Sequence, residues 1–342
     1  MHRTAPPRPS PTGDWRCSFC GYDVPDSPIR GADGASFCSW GCRDAAAAGD
    51  EPFAGRFGFK QFTTGVAPLD TLVPRGIPAN SFVLLGSYDG ARHRGLTTEI
   101  VWRALSRGEP AVVITYVDPP VAVVEQFLTF GWNVLPYLES GDLHVVDCFT
   151  NRLREEHREP DQQVEWNAFL ARFLEDSVTR IRDTTNLETV EDALHDRLRS
   201  QEMVGTGVVV VDSLDELRTQ SQEFGTEQFI EEVRGDVCNR NYVPIFTSTT
   251  LTGNSGFAYE HAHLFDGIVE TRRTESIRPG LRLRQLGVRK MDGAHSLPHW
   301  LTVERTGQGG LQAFDPATQL ESVYGSRSGS PSPPGPPTST PN

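Results

Sequence analysis

Four cysteines near the start of the chain have the spacing of ligands to one zinc ion. Two residues separate Cys17 from Cys20, three separate Cys38 from Cys42, and seventeen residues join the two pairs. A tetrahedral Zn²⁺ site commonly gathers four thiolates from two such pairs, and thiolate sulfur favours zinc over calcium or magnesium. A segment this short cannot fold on packing alone, so a bound ion would supply its stability. The spacing therefore predicts a Zn²⁺ site.

A disulfide pair or a redox dithiol is the alternative use of these cysteines. A reducing intracellular environment and the presence of four cysteines rather than two favour zinc. The segment from Cys17 to Ala45 resembles the cysteine-rich module found ahead of heavy-metal-translocating P-type ATPases and FCS-type zinc fingers, which implies metal binding and not transport. The zinc could be structural or sensed, and a structural role is the more economical hypothesis. Cys148 and Cys238 stand alone among apolar residues, which predicts inert core thiols.

A second set of residues could bind phosphate. The run from Gly90 to Thr98 has the spacing of the phosphate-binding loop G-x-x-x-x-G-K-[ST], with Leu96 in place of the lysine. Such a loop acts through backbone N–H groups and the N-terminus of the next helix, and Thr97 is placed to reach Mg²⁺. A plain strand–loop–helix turn is the alternative. The candidate nucleotide-binding residues are Gly90, Arg92, Arg94, Gly95, Thr97 and Thr98.

An aspartate further along the chain favours the phosphate-binding interpretation. The run Val208–Asp212 is typical of a buried strand that ends in a carboxylate. In a parallel sheet this end lies beside the phosphate loop, where a carboxylate can hold the hydration shell of Mg²⁺. A strand-capping aspartate is the alternative. The order of the elements, with the loop first, favours a metal-binding role for Asp212.

Alternating strand and helix patterns must position these residues. Short apolar, β-branched runs are typical of strands covered on both faces, and amphipathic helical patterns lie between them. One of the predicted helices extends from Trp166 to Ile181. We predict a three-layer α/β/α domain with a mostly parallel sheet, whose edge is built from antiparallel hairpins after Asp266. The predicted strands lie at Phe82–Leu85, Ala111–Val117, Leu143–Val146, Gly207–Val211 and Val243–Thr249.

Several motifs in this region resemble KaiC-type and RadA-type ATPases of the RecA superfamily. The segment Thr64–Asp70, then Gly76–Pro78, is similar to the entry sequence TGxxxLDxLxxxGIPxGS, and the run at Val208–Asp212 follows in the expected order. The segments Arg107–Pro110 and Leu286–Met291 also match in order and spacing. The resemblance covers about residues 60 to 305 and implies a RecA-like domain. ATP and Mg²⁺ as ligands, and a homo-oligomeric ring with nucleotide between subunits, are implied in the same way.

The departures from this family are as informative as the matches. KaiC-type domains place adjacent glutamates after the second strand to activate water, whereas this chain offers Asp118 alone as the candidate base. The family also places a Lys and an Arg near the end to reach the neighbouring subunit's nucleotide, but here Lys290 is followed by Asp292 in the arginine position. The run Gly86–Asp89 reads as a lengthening of the phosphate loop, where Arg92 and Arg94 could restore charge.

These departures predict weak or absent ATP binding and slow hydrolysis, as in a pseudo-ATPase with a regulatory, signalling or assembly role. An active ATPase is one alternative and a RecA-like DNA-handling protein is another. The chain has 45 acidic and 32 basic residues, a net charge of -13, so we expect its surface to repel nucleic acid. Arginine is far commoner than lysine, which together with the acid excess suggests a halophilic host.

Composition also predicts the organisation and location of the chain. No apolar run is long enough to span a membrane and no signal peptide precedes the cysteines, so a cytoplasmic protein with an unidentified protein partner is expected. We predict a disordered lead at 1–14, a four-cysteine zinc-binding module at 15–48, the KaiC-like domain at 59–324 and a disordered Pro/Ser/Gly-rich tail at 325–342.

Overall fold

The computed structural model divides the chain into two compact units, Met1–Lys60 and Gln61–Asn342. The predicted disordered lead and tail lie outside the residues that it describes. None of the described helices is both long and apolar enough to cross a lipid bilayer. The structure describes residues 16–22, 24, 27–50, 52, 60–88, 94–152, 165–221, 223–251, 257–274 and 282–316.

The first unit is a small module around the four cysteines. Strands β1 (Ile29–Arg30) and β2 (Ser36–Phe37) pair in antiparallel fashion, and α1 (Trp40–Ala47) follows. Ser39 begins this helix because its side chain accepts a hydrogen bond from the backbone N–H of Cys42 at 3.2 Å. The apolar core is small: Cys17, Phe19 and Phe37 are its buried residues.

The second unit is built on one sheet of ten strands, and a separate two-stranded sheet pairs β3 (Gln61–Phe62) with β4 (Ile77–Pro78). The bounds of the ten strands are β5 Phe82–Tyr88, β6 Ala111–Thr115, β7 Leu143–Asp147, β8 Val178–Arg180, β9 Val208–Asp212, β10 Ile245–Leu251, β11 Gly267–Thr274, β12 Leu283–Met291, β13 Leu301–Thr306 and β14 Gly310–Ala313. Their order in the sheet is β14-β13-β12-β11-β5-β10-β9-β6-β7-β8. Seven neighbouring strands, from β11 to β8, run parallel, and β12, β13 and β14 extend one edge as antiparallel hairpins. The predicted parallel sheet with an antiparallel edge is confirmed.

Helices cover both faces of the sheet, which confirms the three-layer prediction. Their bounds are α2 Ala67–Leu72, α3 Arg94–Ser106, α4 Pro120–Thr129, α5 Leu135–Glu139, α6 Glu165–Phe173, α7 Leu187–Ser200, α8 Leu214–Gln220, α9 Glu223–Val233, which continues as a π-helix over Arg234–Asn239, and the short α10 Phe257–Glu260. Alternate residues of the central strands enter two separate apolar cores, as expected for strands buried on both faces. Helices α2 to α6 contribute to one core and α7 to α9 to the other.

Two local predictions need correction. The run Gly86–Tyr88 is not an extension of the phosphate loop, because β5 continues through it and pairs with the last residues of β10. The predicted helix from Trp166 to Ile181 ends at Phe173, and Val178–Arg180 forms the edge strand β8 beside β7. In both cases hydrogen bonding to a neighbouring strand outweighs the local pattern, which could not reveal that neighbour.

Candidate functional site

Helix α3 begins where the predicted phosphate loop ends. Gly90 and Arg92 lie outside the described residues, as does the side chain of Arg94, the first residue of α3. Gly95, Thr97 and Thr98 occupy the first turns of this helix, and both threonines are buried. The candidates of this motif that the structure describes are therefore together at one helix N-terminus.

Leu96 takes the lysine position of the motif and is part of the apolar core. Its side chain is 3% exposed and belongs to the same cluster as Ile100 and Val101 of α3. An aliphatic side chain in this position stabilises the packing of α3 on the sheet, but it brings no charge to the loop. With leucine at residue 96, backbone N–H groups and the N-terminus of α3 remain available to bind an anion.

Asp212 lies at the carboxyl edge of the sheet, where the strand pattern predicted it. It is the last residue of β9 and is level with Thr115 of β6, which is in turn level with Asp147 of β7. The hydroxyl of Ser248, on the adjacent β10, donates to Asp212 Oδ1 at 2.9 Å. Because β10 lies between β9 and β5, Asp212 is two strands from the strand that leads into α3. This is the edge at which parallel α/β folds bind ligands.

Asp118 is linked to α3 through a residue that sequence reasoning missed. Gln126 of α4 donates from Nε2 to Asp118 Oδ2 at 2.9 Å. The Oγ1 atom of Thr98 donates to the amide oxygen of Gln126 at 3.4 Å. Asp118 is thus held beside the first turns of α3. Gln126 follows Glu125 in the mainly apolar sequence of α4, and nothing in the sequence pointed to its partners.

Lys290 does not join the other candidates within its own subunit. It pairs on β12 with Ile268 of β11, and Ile268 is level with Leu84 of β5, four residues before the carboxyl end of that strand. Its ammonium group donates to the carbonyl oxygens of Phe265 at 2.7 Å and Ala262 at 3.3 Å. Lys290 is therefore occupied by backbone acceptors away from the start of α3.

Glu99 is a second residue that the sequence analysis missed. Its side chain is fully buried on α3, and Oε2 accepts the backbone N–H of Leu311 at 2.8 Å. Arg103 donates to Oε1 at 3.1 Å, and Arg305 Nη1 lies 3.7 Å from Oε2. Burial raises the pKa of this carboxyl, and the N–H of Leu311 and the two arginines oppose the rise. Gly310 must be glycine because a Cβ there would collide with the carboxylate. Glu99 thus fastens the hairpin of β13 and β14 to α3.

The four cysteine sulfurs of the first unit form a compact cluster. Their Sγ atoms all lie within 4.8 Å of one another, with Cys20 and Cys38 at 3.5 Å and Cys38 and Cys42 at 3.7 Å. A tetrahedron with Zn–S bonds of about 2.3 Å has sulfurs about 3.8 Å apart, whereas a disulfide needs about 2 Å. Burial raises the pKa of Cys17, but the backbone N–H donors of Cys20, Cys38 and Phe19 outweigh it and lower this pKa to about 6. The donor set fits a tetrahedral thiophilic cation.

Comparison with known proteins agrees with this fold. The UPF0273 protein PH0284 of Pyrococcus horikoshii is 27% identical over 240 residues, which cover 70% of this chain and 88% of that protein. The UPF0273 protein MK0039 of Methanopyrus kandleri is 36% identical over 91 residues, which cover 27% of this chain and 36% of that protein. The solved KaiC-like protein PH0186 of Pyrococcus horikoshii OT3 matches with a TM-score of 0.57 at 15% identity, over 75% of this chain and 99% of that chain, which shows a shared fold. A family model described as "ATPase: KaiC" matches residues 62–309. Since that match spans well over half of the sequence, the chain belongs to the KaiC ATPase family.

Proposed function

We propose that the protein binds ATP and Mg²⁺ weakly at the start of α3, hydrolyses ATP slowly or not at all, and acts as a regulatory or assembly module. The observation on which this depends is the burial of Leu96 in the core at the position of the phosphate-binding lysine. Loss of one charge-assisted hydrogen bond costs about 1.5–3 kcal/mol, or roughly ten- to a hundred-fold in affinity. Millimolar nucleotide can compensate for a loss of this size.

The other described residues have roles in this proposal that follow from their positions. Thr97, near the N-terminus of α3, and Asp212, at the carboxyl edge of the sheet, are the candidates to hold Mg²⁺, which would neutralise phosphate charge when bound. The backbone N–H groups at Gly95 would face the phosphates. Asp118 is the candidate base, but its carboxylate already accepts from Gln126 and is therefore restrained.

Slow hydrolysis is proposed from the missing cations and the single candidate base. A cation that stabilises the transferring phosphoryl group contributes about 10³- to 10⁵-fold to the rate. Asp292 occupies the position that this family fills with such an arginine, and it forms an ion pair with Lys290 at 2.9 Å. A homo-oligomer, implied by the family resemblance, would have to supply this cation from another residue.

Titration calorimetry with ATP and Mg²⁺ tests the proposal directly. We expect binding that requires Mg²⁺ and is lost in Asp212→Ala, while Asp196→Ala, which removes an exposed carboxylate of α7, binds as the native chain does. Phosphate release measured in parallel should stay far below about one turnover per second, a typical lower value for phosphoryl-transfer enzymes. Turnover at that rate, abolished by Asp212→Ala, would instead establish an active ATPase. Salt-sensitive gel shifts would establish the DNA-handling alternative.

For the first unit, we propose that the module at 15–48 binds one Zn²⁺ through its four cysteines and needs it to fold. Support comes from the clustering of the four sulfurs and the small core around them. Metal analysis should find one zinc per chain, and Cys38→Ser should release it. Cys148→Ala is the matched control, because Cys148 is a buried thiol of the second unit. Zinc that stays bound to Cys38→Ser with native affinity would contradict this ligand set.

A further inference from the structure

Three arginines lie on the face of the antiparallel edge that packs toward α3. Arg273 of β11 is directly opposite Arg284 of β12, and Arg284 is directly opposite Val303 of β13. Arg305 is two residues beyond Val303 and therefore on the same face. Val303 and its neighbours on this face belong to the core that also contains α3. The three side chains, which we call the arginine triad, thus share one surface.

The triad is placed beside the end of β5. Thr271 of β11 is level with Ser87 of β5, so Arg273, two residues further along, is level with the point where the chain leaves β5 for α3. Arg305 reaches α3 itself, because a Cβ atom at Gly95 would collide with its Nη2 atom. The guanidinium is also stacked over Phe130, 4.2 Å from the ring centre. A positive group therefore lies against the first turn of the helix whose motif lacks lysine.

The positive charge of the triad is only partly neutralised within the described part of the chain. Glu99 is the carboxylate near Arg305, and it also serves Arg103. Arg273 and Arg284 are like charges directly opposite each other on the sheet and therefore repel. Among the described residues, no carboxylate lies within ion-pair distance of either to compensate for this repulsion. The Nε atom of Arg284 and the Nη1 atom of Arg305 are buried and donate to no described atom. Burial and Arg273 lower the pKa of Arg284, which is the sign of an uncompensated cation.

We propose that the arginine triad is an anion subsite that binds the phosphates of a nucleotide seated at the N-terminus of α3, and so replaces the lysine missing at residue 96. Guanidinium groups suit this role because their planar N–H donors bind phosphate oxygens in pairs. The subsite rests on the proposed function, because it assigns a second source of charge to the same nucleotide site. It differs from the Lys and Arg that this family places near the end of the chain, because those residues reach the neighbouring subunit's nucleotide, whereas the three arginines would bind the nucleotide of their own subunit.

A purely structural role is the alternative for these arginines, since long cationic side chains often cover apolar surface. Substitution of Arg305 cannot distinguish phosphate binding from packing, because Arg305 is stacked on Phe130 and contacts Glu99. Substitution of Arg273 can distinguish them, because its side chain is exposed and its removal disturbs little packing. Arg272 offers a matched control. It is the next residue on the same strand, points to the opposite face, donates to Gln285 at 3.0 Å and is stacked on Trp300.

The test measures the binding of ATP with Mg²⁺, and of tripolyphosphate, to the full chain and to Arg273→Ala, Arg284→Gln and Arg272→Ala. We expect the first two variants to bind both probes roughly ten- to a hundred-fold more weakly, the loss of one charge-assisted contact. Arg272→Ala should bind like the native chain although it removes the same charge. Thermal unfolding without ligand identifies any variant that fails to fold. If Arg284→Gln fails to fold, the affinity of Arg273→Ala alone tests the subsite.

Three results would overturn the inference, and they show whether the proposed function falls with it. Native affinity in Arg273→Ala and Arg284→Gln, with ATP still bound by the native chain, removes the triad from the site and leaves the proposed function standing. Equal weakening in Arg272→Ala has the same meaning, since it shows a general effect of charge. Absence of ATP and tripolyphosphate binding to the native chain removes the proposed function and the subsite together.

Discussion

Restoring the lysine by Leu96→Lys should strengthen nucleotide binding and weaken the fold. Leu96 is 3% exposed, and full burial of a leucine side chain is worth about 1.5–3 kcal/mol. A lysine can bury its methylene stem and keep its ammonium at the start of α3, so we expect the free energy of unfolding to fall by about half of that value, roughly 0.8–1.5 kcal/mol. The new charge should add about 1.5–3 kcal/mol to binding, or roughly ten- to a hundred-fold in affinity.

Leu96→Met is the control that separates the charge from the change of shape. Methionine is also unbranched and fills irregular core space, so it imitates the lysine stem without an ammonium group. Calorimetric titration with ATP and Mg²⁺ gives the affinities of the three proteins, and urea unfolding gives their stabilities. If Leu96→Lys binds ATP no more tightly than Leu96→Met does, residue 96 does not face the phosphates, and the assignment of the loop is wrong.

Three further predictions concern stability. Burial, followed by the hydrogen bond to Glu232, raises the pKa of Glu191 to about 8. A raised carboxyl pKa means that the folded protein holds this proton more tightly than the unfolded chain, so its stabilising contribution is lost as pH rises from about 4.5 to about 8. Glu191→Gln should flatten the melting temperature over that range, and an unchanged pH profile would contradict the burial of the group. Glu99→Ala should lower the free energy of unfolding, measured by urea denaturation, by about 3–5 kcal/mol because it breaks a buried ion pair. Glu99→Gln should lower it less, because the glutamine oxygen still accepts the backbone N–H of Leu311. Equal losses in Glu99→Ala and Glu99→Gln would mean that the hydrogen bond from Leu311 contributes little to stability. Chelation of zinc should abolish the circular dichroism signal of the first unit and leave the unfolding of the second unchanged, and a single transition that moves as a whole would contradict independent folding of the two units.

Local sequence patterns predicted the α/β architecture and identified cysteines and an aspartate as candidate ligand residues. Apolar β-branched runs predict strands buried on both faces, because only such strands tolerate helices on each side. The cysteine spacing predicted four sulfurs in one cluster, since close pairs joined by a turn leave few other geometries. Asp212 was placed at the carboxyl edge for a similar reason, because it ends a strand of a parallel sheet.

What local patterns could not reveal is which side chains meet across distant segments. The strand β8 and the length of β5 depend on hydrogen bonds to partners remote in the sequence. Glu99 and Arg305 are separated by about two hundred residues, and neither has a motif around it, yet packing of the last hairpin on α3 brings them together. The arginine triad arises from strand register alone. Composition and periodicity determine the layers and the order of the elements, because they reflect local burial, whereas the ends of individual strands and the charge around the candidate nucleotide site depend on long-range pairing that only the folded chain specifies.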